Sequence, residues 1–336
     1  MYSDMLEKVS IIIPAYNASQ TLRRCVESVL KQTLQDFHIY IVDDCSTDET
    51  WQLMQCLAEE DPRISIYQQH ANQGPAAARN HVLDIVRGEW LYFIDSDDEI
   101  SSNFLDAMVA EGERTGKEIV LGSIKQINID GTVFKEWVAE SKYITDSPEQ
   151  TLQVAYGEKD DLEFMMNLLC IKIYHRSLFN GIRFPIGRLQ EDAFILPYLI
   201  YNSNTGVEVE TDACYFYYDN TSSVSHQAQN GFSDLKRRED LLYLYEHHIM
   251  LYKQHGNTLF YRSRLNYLNN VISIYHLHYK LLGHKCADEF KQIHLDYKRH
   301  LKEAIKEHNP NISWQLCLVL MLFALSPSLY MRIFRH

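Results

Sequence analysis

Trp90-Leu91-Tyr92-Phe93-Ile94 runs without transition into Asp95-Ser96-Asp97-Asp98. A short apolar run of aromatic and β-branched residues has the character of a buried strand. Three carboxylates within four residues at its end repel one another in a partly desolvated place. A divalent cation resolves that repulsion, because Mn²⁺ or Mg²⁺ takes oxygen ligands, typically one or two carboxylates together with substrate phosphates. An acidic loop that caps the next helix, alongside Ser101 and Ser102, accounts for the same residues, and the stretch alone does not decide between the two. Two further acidic pairs stand out. Asp43-Asp44 ends the apolar run from Phe37 to Val42, and Glu191-Asp192 precedes an apolar stretch after Phe184-Pro185-Ile186-Gly187-Arg188. The second pair, opening a helix, is by itself ordinary compensation of the positive end of the helix dipole.

The elements that must position these groups alternate. Val9 to Ile13 is a β-branched strand stopped by Pro14. Ser19 is placed to cap a helix carrying Leu22, Cys25, Val26, Val29 and Leu30 at helical spacing. Ser46-Thr47-Asp48-Glu49 has the form of a capping box opening a helix through Leu57. Ile64 to Tyr67 reads as a third strand. Gly74-Pro75 opens a further helix with Ala78, Val82, Ile85 and Val86 on one face. Strand, helix, strand with short connections predicts an α/β fold on a parallel sheet, whose ligands sit at the carboxyl ends of the strands. Three such ends carry Pro14-Ala15-Tyr16, Asp43-Asp44 and Asp95-Ser96-Asp97. There is no GxxxxGK[ST] loop and no GxGxxG, which argues against a P-loop enzyme and a dinucleotide fold.

Val9-Ser10-Ile11-Ile12-Ile13-Pro14-Ala15-Tyr16-Asn17, Val42-Asp43-Asp44-Cys45-Ser46-Thr47-Asp48, Asn72-Gln73-Gly74-Pro75-Ala76-Ala77-Ala78-Arg79-Asn80 and Asp95-Ser96-Asp97-Asp98 together resemble the successive motifs of family 2 glycosyltransferases, of the bacterial surface-polysaccharide type. Cys45 stands where that family usually has glycine or asparagine, a departure expected to matter little. The resemblance implies a GT-A fold, inversion at the transferred sugar, and a nucleotide-diphosphate sugar as donor, with UDP the expected nucleotide. It implies that Pro14, Ala15 and Tyr16 line the nucleotide pocket, that Asp44 accepts a hydrogen bond from the base, and that Arg79 lies at the pocket wall. Asp95, with Ser96, would approach the ribose or sugar, and Asp97 would be the ligand for Mn²⁺ or Mg²⁺. Glu191-Asp192 resembles the family's catalytic acidic pair, with Asp192 the general base, and Lys172-Ile173-Tyr174 resembles the segment ahead of it. His226 is a candidate to complete the metal shell. Relatives often carry an arginine near Asp219 or Asn220, which this chain lacks.

The domain expectation is a catalytic region over residues 1–228, with a nucleotide-sugar half (1–100) and an acceptor half (101–228). A helical C-terminal region over 229–336 follows. Lys117 to Asn128 and Thr132 to Trp137, joined around Asp130-Gly131, read as a hairpin. Asp234 to Tyr252, Thr258 to Leu282 and Ala287 to His308 read as helices. The tail over 314–334 holds an apolar run from Leu316 to Leu325, with Arg332 and Arg335 beyond it. Ten residues are too short to span a bilayer, which needs about twenty. An interfacial membrane anchor and a buried helix pair both fit. A net charge of −13 argues against a nucleic-acid partner. Seven cysteines without metal-like spacing suggest free thiols. A polar start from Met1 to Lys8 suggests no secretory signal, hence a cytoplasmic enzyme, peripheral on the inner membrane face if the tail anchors it. The expected acceptor is a hydroxyl of a glycan or lipid-linked saccharide. The competing classes are a sugar-phosphate nucleotidyltransferase, which would normally show a glycine-rich basic N-terminal loop, and a nucleotide-sugar-binding scaffold, which would lack the carboxylates.

Overall fold

The structure is a computed structural model that describes residues 7–128, 131–141, 144–156, 161–218, 231–282 and 290–334. The chain divides into two compact units, Met1–Asn220 and Thr221–His336.

The first unit begins with β1 (Val9–Ala15), buried along its whole length, and α1 (Leu22–Leu30). Then come β2 (Phe37–Asp43), α2 (Thr50–Glu60), β3 (Ile64–Gln68), α3 (Pro75–Leu83) and β4 (Trp90–Phe93). These four strands pair in parallel in the order β3-β2-β1-β4. Apolar residues on both faces are what a parallel sheet covered by helices on each side requires. After β5 (Glu99–Ile100), α4 (Phe104–Thr115) leads into a hairpin of β6 (Ile119–Ile127) and β7 (Val133–Trp137). The helices α5 (Pro148–Tyr156) and α6 (Asp161–Asn167) precede β8 (Lys172–His175), which runs antiparallel to both β4 and β6. The helix α7 (Glu191–Ser203) and the strand β9 (Glu208–Tyr218) complete the unit, with β9 parallel to β6 and antiparallel to β5.

Two expected helix caps do not form. Helix α1 starts at Leu22 and α2 at Thr50, neither with a side-chain cap. The Ser46 hydroxyl accepts from the Asn17 backbone N–H, and Asp48 accepts from the Ser19 and Thr50 backbone N–H groups. These polar side chains tie one strand-end loop to the next instead of ending their own helices. Ile85, expected on the buried face of α3, lies beyond the helix end and is exposed.

The second unit packs α8 (Gly231–Gln254), α9 (Leu259–Leu282) and α10 (Lys291–Lys306) with α11 (Trp314–Leu325) and α12 (Pro327–Ile333). Its core includes Leu268, Val271, Ile274, Tyr297, Leu320 and Phe323. The buried Arg264 guanidinium is paired with Glu303 and Glu307.

Candidate active site

Parallel pairing brings the ends of β1, β2 and β4 to one edge of the sheet: Ala15 lies opposite Asp43, and Ile12 opposite Phe93. Beyond those ends stand Tyr16, Asp44 and Asp95. Because β8 is antiparallel to β4, with Tyr92 opposite Ile173, it is the start of β8, Lys172, that reaches the same edge. Pro14 and Ala15 are buried within β1, whereas Tyr16 is half exposed.

The loop after β2 is held by its own acids. Asp43 accepts from the Ser46 N–H at 3.1 Å and from Gln68 at 2.9 Å. Asp44 accepts at one oxygen from Gln69 and from the Gln73 N–H, both at 2.9 Å, and at the other from the Gly74 N–H at 2.7 Å. Burial raises the Asp44 carboxyl above its ordinary value, against those two N–H groups, and Asp43 adds to the rise. The carboxylate that the sequence assigns to a nucleotide base therefore already fixes the approach to α3. Gly74, at φ +85°, suits the turn into Pro75.

Cys45 sits at φ +61°. Its expected insignificance needs correction: a side chain in the left-handed region crowds its own backbone, at about 1–2 kcal/mol for most residues. Glycine or asparagine is the residue type that this position favours. Cys45→Gly is accordingly expected to raise stability by about 0.5–1 kcal/mol, the relieved strain exceeding the entropy that glycine adds to the unfolded chain. Urea melts read this directly, and an unchanged or lowered midpoint would contradict it.

The acids after β4 divide into two kinds. Asp98 is buried, accepting from the Tyr215 hydroxyl and, at 2.8 Å, from the Tyr218 N–H. Burial holds its carboxyl well above the usual range, and Asp97 and Asp95 push it the same way. Asp98 thus fastens the end of β9 to the loop. Asp95, Ser96 and Asp97 are part-exposed. Arg24 of α1, which the sequence did not single out, steadies this loop: it donates to the Asp97 carbonyl at 2.5 Å, pairs with Glu99 at 2.9 Å and lies 3.7 Å over the Tyr218 ring. Among the described residues no group of three or more His, Cys, Asp or Glu is poised to hold a metal. The donor set nevertheless fits a hard cation, since Mn²⁺ and Mg²⁺ take one or two carboxylates and complete their shell with phosphate and water oxygens. Asp97 with Asp95 would hold it. His226, Asp219 and Asn220 lie outside the described residues.

Arg79, on α3, gathers the remaining acids. Its guanidinium donates to Glu191 at 2.7 Å and Asp192 at 3.3 Å through one nitrogen, and to Asp95 at 3.0 Å through another. The side chain is 5% exposed and engaged by carboxylates. Asp192, Glu191 and Asp95 hold its charge firmly, against the desolvation that burial imposes. Asn80 sets the distance between the two halves: its amide donates to the Phe184 carbonyl at 2.8 Å and accepts the Phe184 N–H at 2.9 Å. That leaves the Phe184 ring 5.5 Å from the Arg79 guanidinium carbon. Gln190, at φ +64°, then turns the chain into α7, with Glu191 and Asp192 in its first turn. Adjacent helical residues point about 100° apart, so only one of the pair was expected to face the cleft. Both carboxylates in fact reach Arg79. Burial raises Asp192 to about 7, with Glu191 and Asp95 adding to the rise; Arg79 and a Leu169 backbone hydrogen bond oppose it.

The sequence model described as "Glycosyl transferase family 2" matches residues 10–180. Among curated proteins, "Glycosyltransferase GlyA" of Streptococcus pneumoniae serotype 4 is 28% identical over 191 residues, 56% of this chain and 27% of that one. The chain thus spans little more than a quarter of that relative's length. "UDP-Glc:alpha-D-GlcNAc-diphosphoundecaprenol beta-1,3-glucosyltransferase WfgD" of Escherichia coli is 29% identical over 235 residues, 70% of this chain and 85% of that one. Among solved structures, S. aureus TarS 1–349 in complex with UDP-GlcNAc superposes with a TM-score of 0.54 at 21% identity, covering 87% of this chain and 92% of that one. At that identity the likeness is one of fold.

Proposed function

The chain belongs to glycosyltransferase family 2, and on that premise we propose that it inverts the sugar it moves, from a UDP-sugar to a hydroxyl of a glycan or lipid-linked saccharide in surface-polysaccharide synthesis. That it is a glycosyltransferase of GT-A fold rests on the family and on the TarS likeness. The observation that carries the finer reading is the meeting of Asp95, Glu191 and Asp192 on the single Arg79 guanidinium. A carboxylate from the donor-side strand end and two from the start of α7 come within reach of one side chain. A proton acceptor beside the sugar-facing end of a donor site is the arrangement that direct displacement needs.

In this reading Pro14, Ala15, Tyr16 and Asp44 line the nucleotide end, and Asp95 and Ser96 the ribose and sugar. Asp192 takes the proton from the acceptor hydroxyl as its oxygen bonds to the anomeric carbon. The bond from that carbon to the diphosphate breaks on the opposite face, and UDP departs with the electron pair. Glu191, the closer partner of Arg79, keeps the guanidinium in place. A divalent cation held by Asp97 and Asp95 would supply charge neutralisation for the leaving diphosphate. The UDP-glucose that names WfgD and the UDP-GlcNAc of the TarS complex support the donor class. Proton NMR of the product formed from an α-linked UDP-sugar with a saccharide acceptor tests the reading. A β-linkage is expected; retention of the α configuration would overturn the direct displacement.

The tail carries a second expectation. No helix among the described residues is long and apolar enough to cross a membrane. Leu320, Phe323 and Met331 are buried in the second unit, while Trp314, Leu318, Met321, Leu325, Leu329 and Ile333 form an exposed stripe of 42–80%. One face of the tail is thus buried and the other exposed, and it is the exposed face that supports the anchor reading. Exposed Lys298, Lys302 and Lys306 on α10 and Arg332 on α12 stand out against the chain's −13 charge. Exposed apolar side chains and exposed cations in one helical unit suit an anionic bilayer surface, where each cation contributes about 1 kcal/mol. Trp314→Glu with Leu318→Glu and Leu325→Glu is expected to cut co-sedimentation with phosphatidylglycerol vesicles at least about tenfold, leaving turnover of a soluble donor intact. Equal sedimentation of both proteins would refute membrane contact.

A further inference from the structure

Helix α1 holds the segment that follows β4 at successive points. The Cys25 thiol donates to the Asp95 carbonyl at 3.4 Å, and the Arg24 guanidinium to the Asp97 carbonyl at 2.5 Å. Further along, the Ser28 hydroxyl accepts the Ile100 N–H at 3.3 Å. Gln32, just past the helix end, donates to the Ser101 carbonyl at 2.7 Å. Cys25, Ser28 and Gln32 are buried, as ties that serve only the fold should be. Arg24 is the exposed member, with 41% of its side chain open to solvent. An arginine serving solubility alone would extend into water. This one divides its planar fork between the Asp97 carbonyl and, at 2.9 Å, the Glu99 carboxylate, and stacks 3.7 Å from the centre of the Tyr218 ring.

The tie falls on one particular peptide. The Asp98 N–H donates to the Asp95 carbonyl at 3.2 Å, closing a turn over Asp95 to Asp98. The Asp97 carbonyl belongs to the same planar unit as that N–H, so both polar groups of the peptide between Asp97 and Asp98 are held. Fixing that plane fixes the direction in which the Asp97 Cα carries its side chain. Just beyond it, the Asp98 carboxylate is fastened to Tyr215 and to the Tyr218 N–H.

We propose that Arg24 is a positioning residue for the Asp97 carboxylate as a cation ligand, acting through the peptide between Asp97 and Asp98. The proposal rests on the reading of Asp97 as the ligand for Mn²⁺ or Mg²⁺. Groups that orient a metal ligand from outside its shell are worth about 10–100-fold in metal affinity. Glu99, paired with the guanidinium, offsets a positive charge that would otherwise stand against a cation. Two other roles lead to different results. As a bare charge Arg24 would repel the metal, and its loss would tighten metal binding. As a direct partner of the diphosphate it would strengthen UDP binding with or without metal.

The test is calorimetry of UDP, in chelator and at graded Mn²⁺, on the wild type, Arg24→Met and Arg24→Lys, with a thermal melt of each. Arg24→Met is expected to raise the Mn²⁺ concentration at which UDP binding tightens by about 10–100-fold, with UDP affinity in chelator unchanged. Arg24→Lys, whose ammonium still reaches one acceptor, should recover part of that loss. An unchanged or lower Mn²⁺ requirement in Arg24→Met overturns the positioning role, and so does a weaker UDP affinity in chelator. Equal losses of melting temperature in both variants, with no recovery by lysine, also overturn it and leave a structural tie. Asp97→Ala is run alongside. If that variant keeps the wild-type response to Mn²⁺, the metal reading itself falls. If it loses the response while Arg24→Met keeps it, only the inference about Arg24 falls.

Discussion

Asp192→Asn is expected to lower kcat by about 10²–10⁴-fold, the usual contribution of a general base, with donor affinity nearly unchanged. The amide keeps the shape of the carboxylate and loses only the capacity to take a proton. The geometry separates this residue from its neighbour. Glu191 sits 2.7 Å from the Arg79 guanidinium with 13% of its side chain exposed, whereas Asp192 sits at 3.3 Å with 29% exposed. The tighter, more enclosed carboxylate is the anchor, and the looser one is the group that a hydroxyl can meet. Glu191→Gln should therefore cost less in kcat and show mainly as lost stability, on the order of 1.5–3 kcal/mol for a hydrogen bond to a charged group. The wild-type profile adds a check. Burial has raised Asp192 to about 7, and a base must be ionised, so kcat should climb with pH through about 7. A wild-type rate already flat at pH 5, or a dead Glu191→Gln beside an active Asp192→Asn, would move the role to another group.

Asp97→Ala is expected to abolish transfer and the Mn²⁺-dependent part of UDP binding while the protein melts where it did before. Its side chain lies in a part-exposed strand-end loop, away from the packed core. The contrast is Asp98→Ala, one residue on. That change removes the acceptor for both the Tyr215 hydroxyl and the Tyr218 N–H and leaves them buried or part-buried without it. It should cost about 2–5 kcal/mol and lower the melting temperature before it alters metal affinity. Calorimetry of UDP with and without Mn²⁺, alongside a thermal melt, reads both. Full transfer by Asp97→Ala in excess chelator would remove the metal role, and a melting loss in Asp97→Ala equal to that in Asp98→Ala would make the loop acids structural alike.

The parallel half of the sheet was legible because β-branched runs buried on two faces leave little choice of neighbour. Parallel pairing alone places the carboxyl ends of such strands, and with them the acids, on one edge; the order β3-β2-β1-β4 is a finding of the structure. What sequence could not resolve is which member of an acidic cluster turns inward. Asp97 and Asp98 are chemically alike and adjacent, and their fates differ because Tyr215 and Tyr218, on a strand more than a hundred residues later, offer partners to one alone. Asp44, which the family resemblance assigns to the nucleotide base, also meets the Gln73 and Gly74 N–H groups, a second task that its local pattern does not announce. Ser46 failed as a cap for the same reason: local pattern names a donor or acceptor, and the tertiary neighbour, here the Asn17 N–H, chooses its use. Lys172 carries a signal of its own, a lone charge inside an apolar run, and it is fully buried. Arg24 carried none, since an arginine on an amphipathic helix looks the same whether it meets water or the next loop.

The four-residue arrangement at Arg79 also bears on how this family can change over time. One buried cation answers three anions drawn from two separate places in the chain, Asp95 and the Glu191-Asp192 pair. A substitution at position 79 strands all three at once, and a substitution at 191 alters what 79 must balance, so the effects cannot simply add. Drift at these positions is then epistatic: each replacement is tolerated only on a background where its companions have already shifted. Homologues should accordingly show positions 79, 95, 191 and 192 either held together or replaced as a set, while the donor and acceptor pockets around them diverge freely.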